Sequence, residues 1–379
     1  MIYLDNSATT KPLPEVLDSF RQVSEKYYAN PSSIHRFGNE AERLLRKAKQ
    51  QAADLLRVSA DEIVFNSGGT EGNNTAIKGI ALQHQHRGKH IITTSIEHPS
   101  VLQACKSLEK LGFSITYLPV NHFGIVSVSD VERAITNDTI LISIMHVNNE
   151  LGSIQPIEKI GEIAKNHQKL FFHVDHVQGF GKVPLSLTGS SIDLCTISGH
   201  KIHGLKGTGL MYIKQNTALF PLLHGGDQEG AIRSGTENLA GIVSLVKAMR
   251  ITLEKQSTDS FYLKKLNQTL REQLSMLKAV VINSPEHHAP HILNVSVPHF
   301  KPEVIIHALG ERGIYISTKS ACSSKQPDES AVLAACGLHQ TRTNSALRIS
   351  LSYDNTEQEI ITFCAALRDV LKELSKVMG

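Results

Sequence analysis

A regular alternation of short apolar runs with longer amphipathic runs most constrains how this chain folds. Strand-like runs occur at 62–66, 90–94, 114–118, 139–145, 170–174, 192–197 and 209–213, and helical periodicity separates the first five. Because a strand, a helix and a second strand in this order join parallel strands through right-handed crossovers, the pattern predicts a mainly parallel sheet with helices on both faces. Ligands of such sheets bind outside the carboxyl ends of the strands.

The pattern changes after about residue 238. Two long helices are predicted near 238–256 and 260–277, because the polar sequence Lys-Gln-Ser-Thr-Asp-Ser interrupts the apolar period between them. Shorter strands and a last helix near 356–377 follow. We therefore expect an α/β chain with a large domain, residues 14–256, and a smaller α+β domain formed by residues 1–13 and 257–379.

Composition excludes several classes of function. The chain has 379 residues and a formal net charge of +3, so neither a nucleic-acid nor a membrane partner is indicated. The N-terminus lacks a secretory pattern. The five cysteines have no Cys-x-x-Cys spacing, which predicts reduced thiols in the cytoplasm and no disulfide framework. The histidine clusters at 84–86 and 287–291 have no regular ligand spacing, so we expect solvated surface rather than metal sites.

Three motifs follow predicted strands. In Ser198-Gly-His200-Lys201, a lysine in a small polar turn can form a Schiff base once its amine is activated. In the sequence 172–178, Asp175 ends a buried strand, where a carboxylate needs a cationic partner, and Gln178 follows as a donor. Each motif also has a purely structural interpretation: Lys201 could be a surface lysine, and Asp175 could be an aspartate in a salt bridge.

The third motif is Asn66-Ser-Gly-Gly69-Thr70-Glu-Gly-Asn-Asn74, where a glycine turn joins a strand to a helix. Free amides at that helix start and the Thr70 hydroxyl suit a phosphate, although ordinary capping explains the turn equally well. Taken together, a lysine, a strand-end aspartate and a phosphate cup are the parts that a pyridoxal 5'-phosphate site needs.

Three further residues are candidates. His98, in Glu97-His98-Pro99, could stack on a planar ring and move protons, or simply begin a helix. Cys322 lies in a polar stretch between lysines 319 and 325, where a thiol is either exposed and reactive or incidental. Arg348, in a strand, either forms a structural pair or binds a carboxylate. The other four cysteines lie in apolar patterns and are expected to pack.

With these residues identified, the chain resembles the pyridoxal-phosphate cysteine desulfurases, the NifS/IscS-like group of the class V aminotransferase superfamily. The resemblance covers nearly the whole sequence. Its motifs are Tyr3-Leu-Asp-Asn-Ser-Ala-Thr-Thr10, Asn30 to Gly38, Glu97-His98, His146-Val-Asn-Asn-Glu-Leu-Gly152, His173-Val-Asp175, Ser198 to Lys201, Arg233-Ser-Gly-Thr236 and Ser320-Ala-Cys322. It implies the fold type I architecture of pyridoxal-phosphate transferases.

The resemblance also implies site roles. Lys201 would bind the cofactor aldehyde and His98 would stack on the ring. Around the ring, Asp175 would pair with the nitrogen, and Gln178 and Asn149 would lie near the oxygen. Gly69, Thr70, Ser198 and His200 would hold the phosphate, and Thr236 would reach the phosphate of a neighbouring subunit in a homodimer. Arg348, with Asn149, would bind the substrate.

The activity implied is removal of sulfur from L-cysteine, which leaves alanine and a persulfide on Cys322. An acceptor protein, either an iron–sulfur scaffold or a tRNA-thiolation enzyme, would then take the sulfur. His176-Val177 departs from the Ala-Thr usual in housekeeping members, which favours a dedicated thiolation role. A class V aminotransferase, a selenocysteine lyase and a non-catalytic sulfur carrier remain alternatives.

Overall fold

The computed structural model describes residues 1–318 and 329–378. The strands are β1 (Ile2–Tyr3), β2 (Ile63–Asn66), β3 (His90–Thr94), β4 (Ser114–Leu118), β5 (Thr139–Met145), β6 (Phe171–Asp175), β7 (Leu194–Ser198), β8 (Gly209–Ile213), β9 (Val281–Ile282), β10 (Ile292–Ser296), β11 (Ile314–Tyr315) and β12 (Ala346–Ser350). The helices are α1 (Pro14–Lys26), α2 (Arg36–Leu56), α3 (Gly69–His84), α4 (Pro99–Glu109), α5 (Val128–Ala134), α6 (Ile157–Lys165), α7 (Leu239–Ser275), α8 (Pro302–Glu311), α9 (Ala331–Ala335), α10 (Gln340–Thr343) and α11 (Glu357–Met378).

A seven-stranded sheet in the order β2-β8-β7-β6-β5-β3-β4 forms the centre of the structure. The strands from β4 to β7 are parallel, as predicted. β8 is antiparallel to both of its neighbours, because the short connection from β7 leaves no room for a crossover helix. β2 therefore points the same way as β7, and the carboxyl ends of β2, β3, β5, β6 and β7 share one edge.

Helices cover both faces of this sheet, as the alternating pattern predicts. Ile91 of β3 packs with Ile77 of α3, whereas its neighbour Ile92 packs on the opposite face with Ile160 of α6. This division follows from the two-residue period of side chains along a strand. A further cluster joins β2, β7 and β8 to α2 and the first half of α7.

The sequence-based expectation of two helices near 238–256 and 260–277 is wrong. A single helix of 37 residues, α7, spans Leu239–Ser275. The polar segment 255–260 contains neither proline nor glycine, so it continues the helix at the surface. The two halves of α7 pack into different clusters: Leu245 contacts the large sheet, and Leu270 contacts the C-terminal part of the chain.

The C-terminal residues form a separate core around the antiparallel sheet β12-β10-β9. Leu293 and Leu347 of this sheet pack against α8, α11 and the second half of α7. β1 pairs with β11, which brings the N-terminus into the same region. The two cores are compatible with domains 14–256 and 1–13 plus 257–379, and that division stays a prediction.

The expectation that the histidine clusters are solvated is wrong for two residues. His84 and His291 are buried. His84 fits inside because its ring stacks on Phe171 at 4.6 Å and its Nε2 lies 2.9 Å from the Ala218 carbonyl oxygen. Within residues 1–318 and 329–378, no group of histidines, cysteines and acids has metal-binding geometry.

The four cysteines other than Cys322 are buried, as predicted, and form no disulfide with one another: Cys105, Cys195, Cys336 and Cys364. Cys322 lies outside the described residues. No helix in the described part of the chain has the length and apolar character needed to cross a membrane.

Candidate active site

A cavity of about 530 Å³ opens at the carboxyl ends of the parallel strands. The predicted site residues that line it are Gly69, Thr70, His98, Asn149, Asp175, Gln178, Ser198, His200, Lys201 and Arg348. Thr236 lines a neighbouring cavity of about 170 Å³, which shares Ser67 and Gly207 with the first. The structure therefore brings ten predicted residues together and places an eleventh beside them.

Lys201 ends a short 3₁₀ turn, Gly199–Lys201, that directly follows β7. Its Nζ donates to the carbonyl oxygens of Ser7 at 2.5 Å and Ala8 at 2.8 Å. The N-terminal segment thus positions the amine in the cavity. This contact was not predicted from the sequence, because 194 positions separate Lys201 from Ser7.

Asp175 ends β6 and is 6% exposed. Its Oδ1 accepts from the Val177 amide at 3.0 Å, and its Oδ2 accepts from Asn73 Nδ2 at 2.7 Å. These two donors fix the carboxylate at the wall of the cavity. Asn73 lies on α3 within the glycine-turn motif, but its role was not predicted from the sequence.

His98 caps α4 and is connected to Asp175 through Ser100 and Asn73. Its Nδ1 accepts from the Ser100 amide at 3.2 Å and lies 2.8 Å from Ser100 Oγ, which itself accepts from Asn73 Nδ2 at 2.9 Å. Burial is the largest cause of a lowered pKa at His98. The nearby Asp175 carboxylate raises this pKa, and the Lys201 ammonium lowers it. An imidazole that accepts at Nδ1 carries its proton on Nε2.

The glycine turn after β2 forms a cup at the start of α3. Gly68 has φ +140°, a conformation open to glycine, and the first amides of the 16-residue helix have no partners within the helix. Ser198 Oγ faces this turn, is buried and makes no hydrogen bond. An unsatisfied buried hydroxyl beside free amides fits a phosphate group.

His200 lines the same cavity as Ser198. Its Nδ1 lies 3.2 Å from Thr9 Oγ1. Burial, with smaller contributions from Lys201 and Lys206, lowers the pKa of His200 to about 4, so the imidazole is neutral at physiological pH. Gln178 Nε2 donates to the Ser7 carbonyl oxygen at 3.0 Å, which leaves one of its two amide protons for a ligand.

Arg348 lies in β12 and is 1% exposed. Its Nη1 donates to the Asn149 carbonyl oxygen and its Nη2 to Asp5 Oδ1, both at 3.0 Å. Its Nε has no hydrogen-bond partner. Both interpretations of Arg348 are therefore possible: it forms a structural ion pair with Asp5, and its Nε remains a donor for a ligand in the cavity.

We expect Asn73→Ala to weaken pyridoxal-phosphate binding about tenfold or more, because Asp175 and Ser100 each lose a hydrogen bond to one amide group. Asn74→Ala is the matched control, since Asn74 donates only to backbone carbonyls. Fluorescence titration of the apo-protein with the cofactor measures both. Equal affinity in the two variants would contradict this role of Asn73.

Stability should depend on pH through His173. This side chain is fully buried between Ser143 Oγ at 2.8 Å and Thr196 Oγ1 at 3.0 Å, and burial lowers its pKa to about 3. Because the unfolded chain binds this proton near pH 6.5, the stabilisation is complete above that pH and is lost as the pH falls towards 3.

His173→Gln should therefore reduce the loss of unfolding free energy between pH 7 and pH 5 by about 2 kcal/mol. Urea titrations at the two pH values measure it. His122→Gln, at an exposed position, should leave the dependence as in the wild type. A pH dependence unchanged by His173→Gln would show that this imidazole does not contribute.

Comparison with known proteins agrees with this geometry. Residues 2–363 match the family described as Aminotransferase class-V. A "NifS/IcsS protein homolog" of Lactobacillus delbrueckii is 45% identical over 100% of this chain and 99% of its own length. "Cysteine desulfurase IscS" of Methanosarcina thermophila is 42% identical over 98% and 92%. A solved structure described as a NifS-like protein superposes with a TM-score of 0.93 at 38% identity, covering 98% of this chain and 99% of that one. This chain belongs to the class-V aminotransferase family.

Proposed function

We propose that this chain is a cysteine desulfurase, which uses pyridoxal 5'-phosphate to take sulfur from L-cysteine. The observation that supports it most is the single cavity lined by Lys201, Asp175 and the Gly68–Gly69 cup. The lysine, the aspartate and the glycine cup suit the aldehyde, the ring nitrogen and the phosphate, respectively, of one ligand. Relatives of nearly equal length that carry the name cysteine desulfurase support the same reaction.

Different residues of the site would contact different parts of the cofactor. The Lys201 amine would bind the aldehyde, Asp175 would pair with the ring nitrogen, and Ser198 Oγ with the amides after Gly68 would hold the phosphate. When bound, the cofactor supplies an electron sink for the substrate α-carbon. His98 would lie on the ring, with Gln178 and Asn149 near its oxygen and Thr70 and His200 at the phosphate. Thr236 would complete the phosphate site of a partner subunit in a homodimer.

Lys201 and His98 would handle protons. The Lys201 amine, displaced by the substrate amine, takes the proton from the substrate α-carbon and returns it to the product. The His98 proton is on Nε2, because Nδ1 accepts from Ser100. The neutral imidazole can therefore donate from a defined atom into the cavity.

Cys322 would receive the sulfur. A bond forms between the Cys322 thiolate and the substrate sulfur, and the substrate carbon–sulfur bond breaks. Its electron pair stays with the carbon fragment, which takes up protons and leaves as alanine. The product on the protein is a persulfide, which a thiol of an acceptor protein would remove. Either an iron–sulfur scaffold or a tRNA-thiolation enzyme would fit, and a reducing cytoplasm would keep the thiols active.

The decisive experiment assays alanine and sulfide together, with L-cysteine and a thiol reductant. We expect equal amounts from the wild type and no sulfide from Cys322→Ser, which should still perturb the cofactor absorbance when L-cysteine binds. Cys364→Ala controls for the loss of a buried thiol elsewhere and should retain both products. Lys201→Ala should abolish turnover.

Two results would contradict the proposal. Sulfide release that survives Cys322→Ser would move the nucleophile elsewhere or indicate a lyase. Alanine that appears only when a keto acid is added would indicate an aminotransferase, which has no need of the Cys322 thiol.

Arg348→Lys tests substrate recognition. Lysine keeps the positive charge but cannot hold Asp5, Asn149 and a substrate carboxylate with one planar group. We expect the KM for L-cysteine to rise about tenfold to a hundredfold, as for the loss of a charged hydrogen bond. Steady-state kinetics measure KM, and cofactor affinity serves as the control. An unchanged KM would remove Arg348 from the carboxylate role.

A further inference from the structure

A second lysine, Lys182, lies directly behind the turn that carries Lys201. It is 9% exposed, and its Nζ donates to the Lys201 carbonyl oxygen at 2.8 Å. None of the ion pairs among the described residues includes Lys182. A buried amine without a carboxylate partner is costly, so its position needs a reason.

The turn that carries Lys182 is held rigidly against the rest of the site. Gly181 has φ +69°, and an added Cβ there would lie 2.1 Å from Thr252 Cγ2. The Gly181 carbonyl oxygen accepts from the Tyr353 hydroxyl at 2.9 Å. Thr252 Oγ1 donates to the Ile202 carbonyl oxygen, one residue after Lys201, at 3.1 Å. One residue of α7 therefore contacts both lysine-bearing turns.

The electrostatic surroundings of Lys182 are basic. Burial and the Lys201 ammonium lower its pKa to about 7. The charged or titratable groups coupled to it come from several elements: Lys201, His176, His200, His203 and His291. Burial keeps these imidazoles neutral, so the repulsion within this set acts mainly between the protonated amines of Lys182 and Lys201.

We propose that Lys182 is a positioning residue for Lys201: it holds the Lys201 backbone carbonyl and thereby places a second amine, cationic when protonated, in contact with that residue. A neighbouring cation favours the unprotonated form of an amine, which is the form that attacks an aldehyde or takes a proton. The inference rests on the proposed use of Lys201 to bind pyridoxal phosphate, but not on the identity of the substrate.

The test is a pH titration of the visible absorbance of the cofactor-loaded protein, without substrate. Loss of the cation in Lys182→Met and in Lys182→Gln should raise the midpoint by about one pH unit. Lys182→Arg keeps the charge, and its midpoint should stay at or below that of the wild type. Lys214→Met, at a lysine paired with Asp193 on the surface, should match the wild type.

A second readout uses the apo-protein. The pH of half-maximal cofactor uptake should rise in the Met and Gln variants in the same way. An unchanged midpoint in both variants overturns the proposal, and so does a wild-type midpoint in the Gln variant alone, since glutamine keeps a donor but no charge. A folded Met or Gln variant that takes up no cofactor at any pH also contradicts it, because loss of charge only moves a midpoint.

These outcomes are separate from the test of the proposed function. A wild type that makes no alanine from L-cysteine would refute the desulfurase, while the absorbance titration would still report on Lys182 and Lys201.

Discussion

The architecture depends on the buried guanidinium of Arg348. It joins three parts of the chain that lie far apart in sequence: β12, the N-terminal segment through Asp5, and the loop after β5 through the Asn149 carbonyl oxygen. Because an unpaired buried charge costs several kcal/mol, these contacts hold the C-terminal core against the edge of the large sheet. Arg348 also lines the cavity, and its Nε has no hydrogen-bond partner there.

The N-terminal segment completes the site from the other side. Ser7 and Ala8 offer backbone carbonyl oxygens to Lys201, and Ser7 also accepts from Gln178. These backbone acceptors orient the amine, so the segment positions Lys201 in the cavity. Residues near the start of the chain thus act together with the turn after β7.

Burial rather than acidic partners sets the electrostatics of the site. It lowers the pKa values of His98, His146 and His200, which keeps these rings neutral at physiological pH. Neutral imidazoles serve as hydrogen-bond donors and acceptors with fixed tautomers, so they can orient a ligand without adding charge to the cavity.

The sequence by itself determined the strands of the parallel sheet to within about two residues, because apolar periodicity and glycine turns are local properties. Ten residues that line the cavity were also expected from the sequence: some follow strand ends, which share one edge of a parallel sheet, and others, such as Asn149, were implied by the family resemblance. The tertiary structure alone decided that Arg348 pairs with Asp5 across 343 positions and that the Ser7 carbonyl oxygen accepts from Lys201 across 194 positions. These features depend on which distant surfaces meet, and no local pattern encodes that.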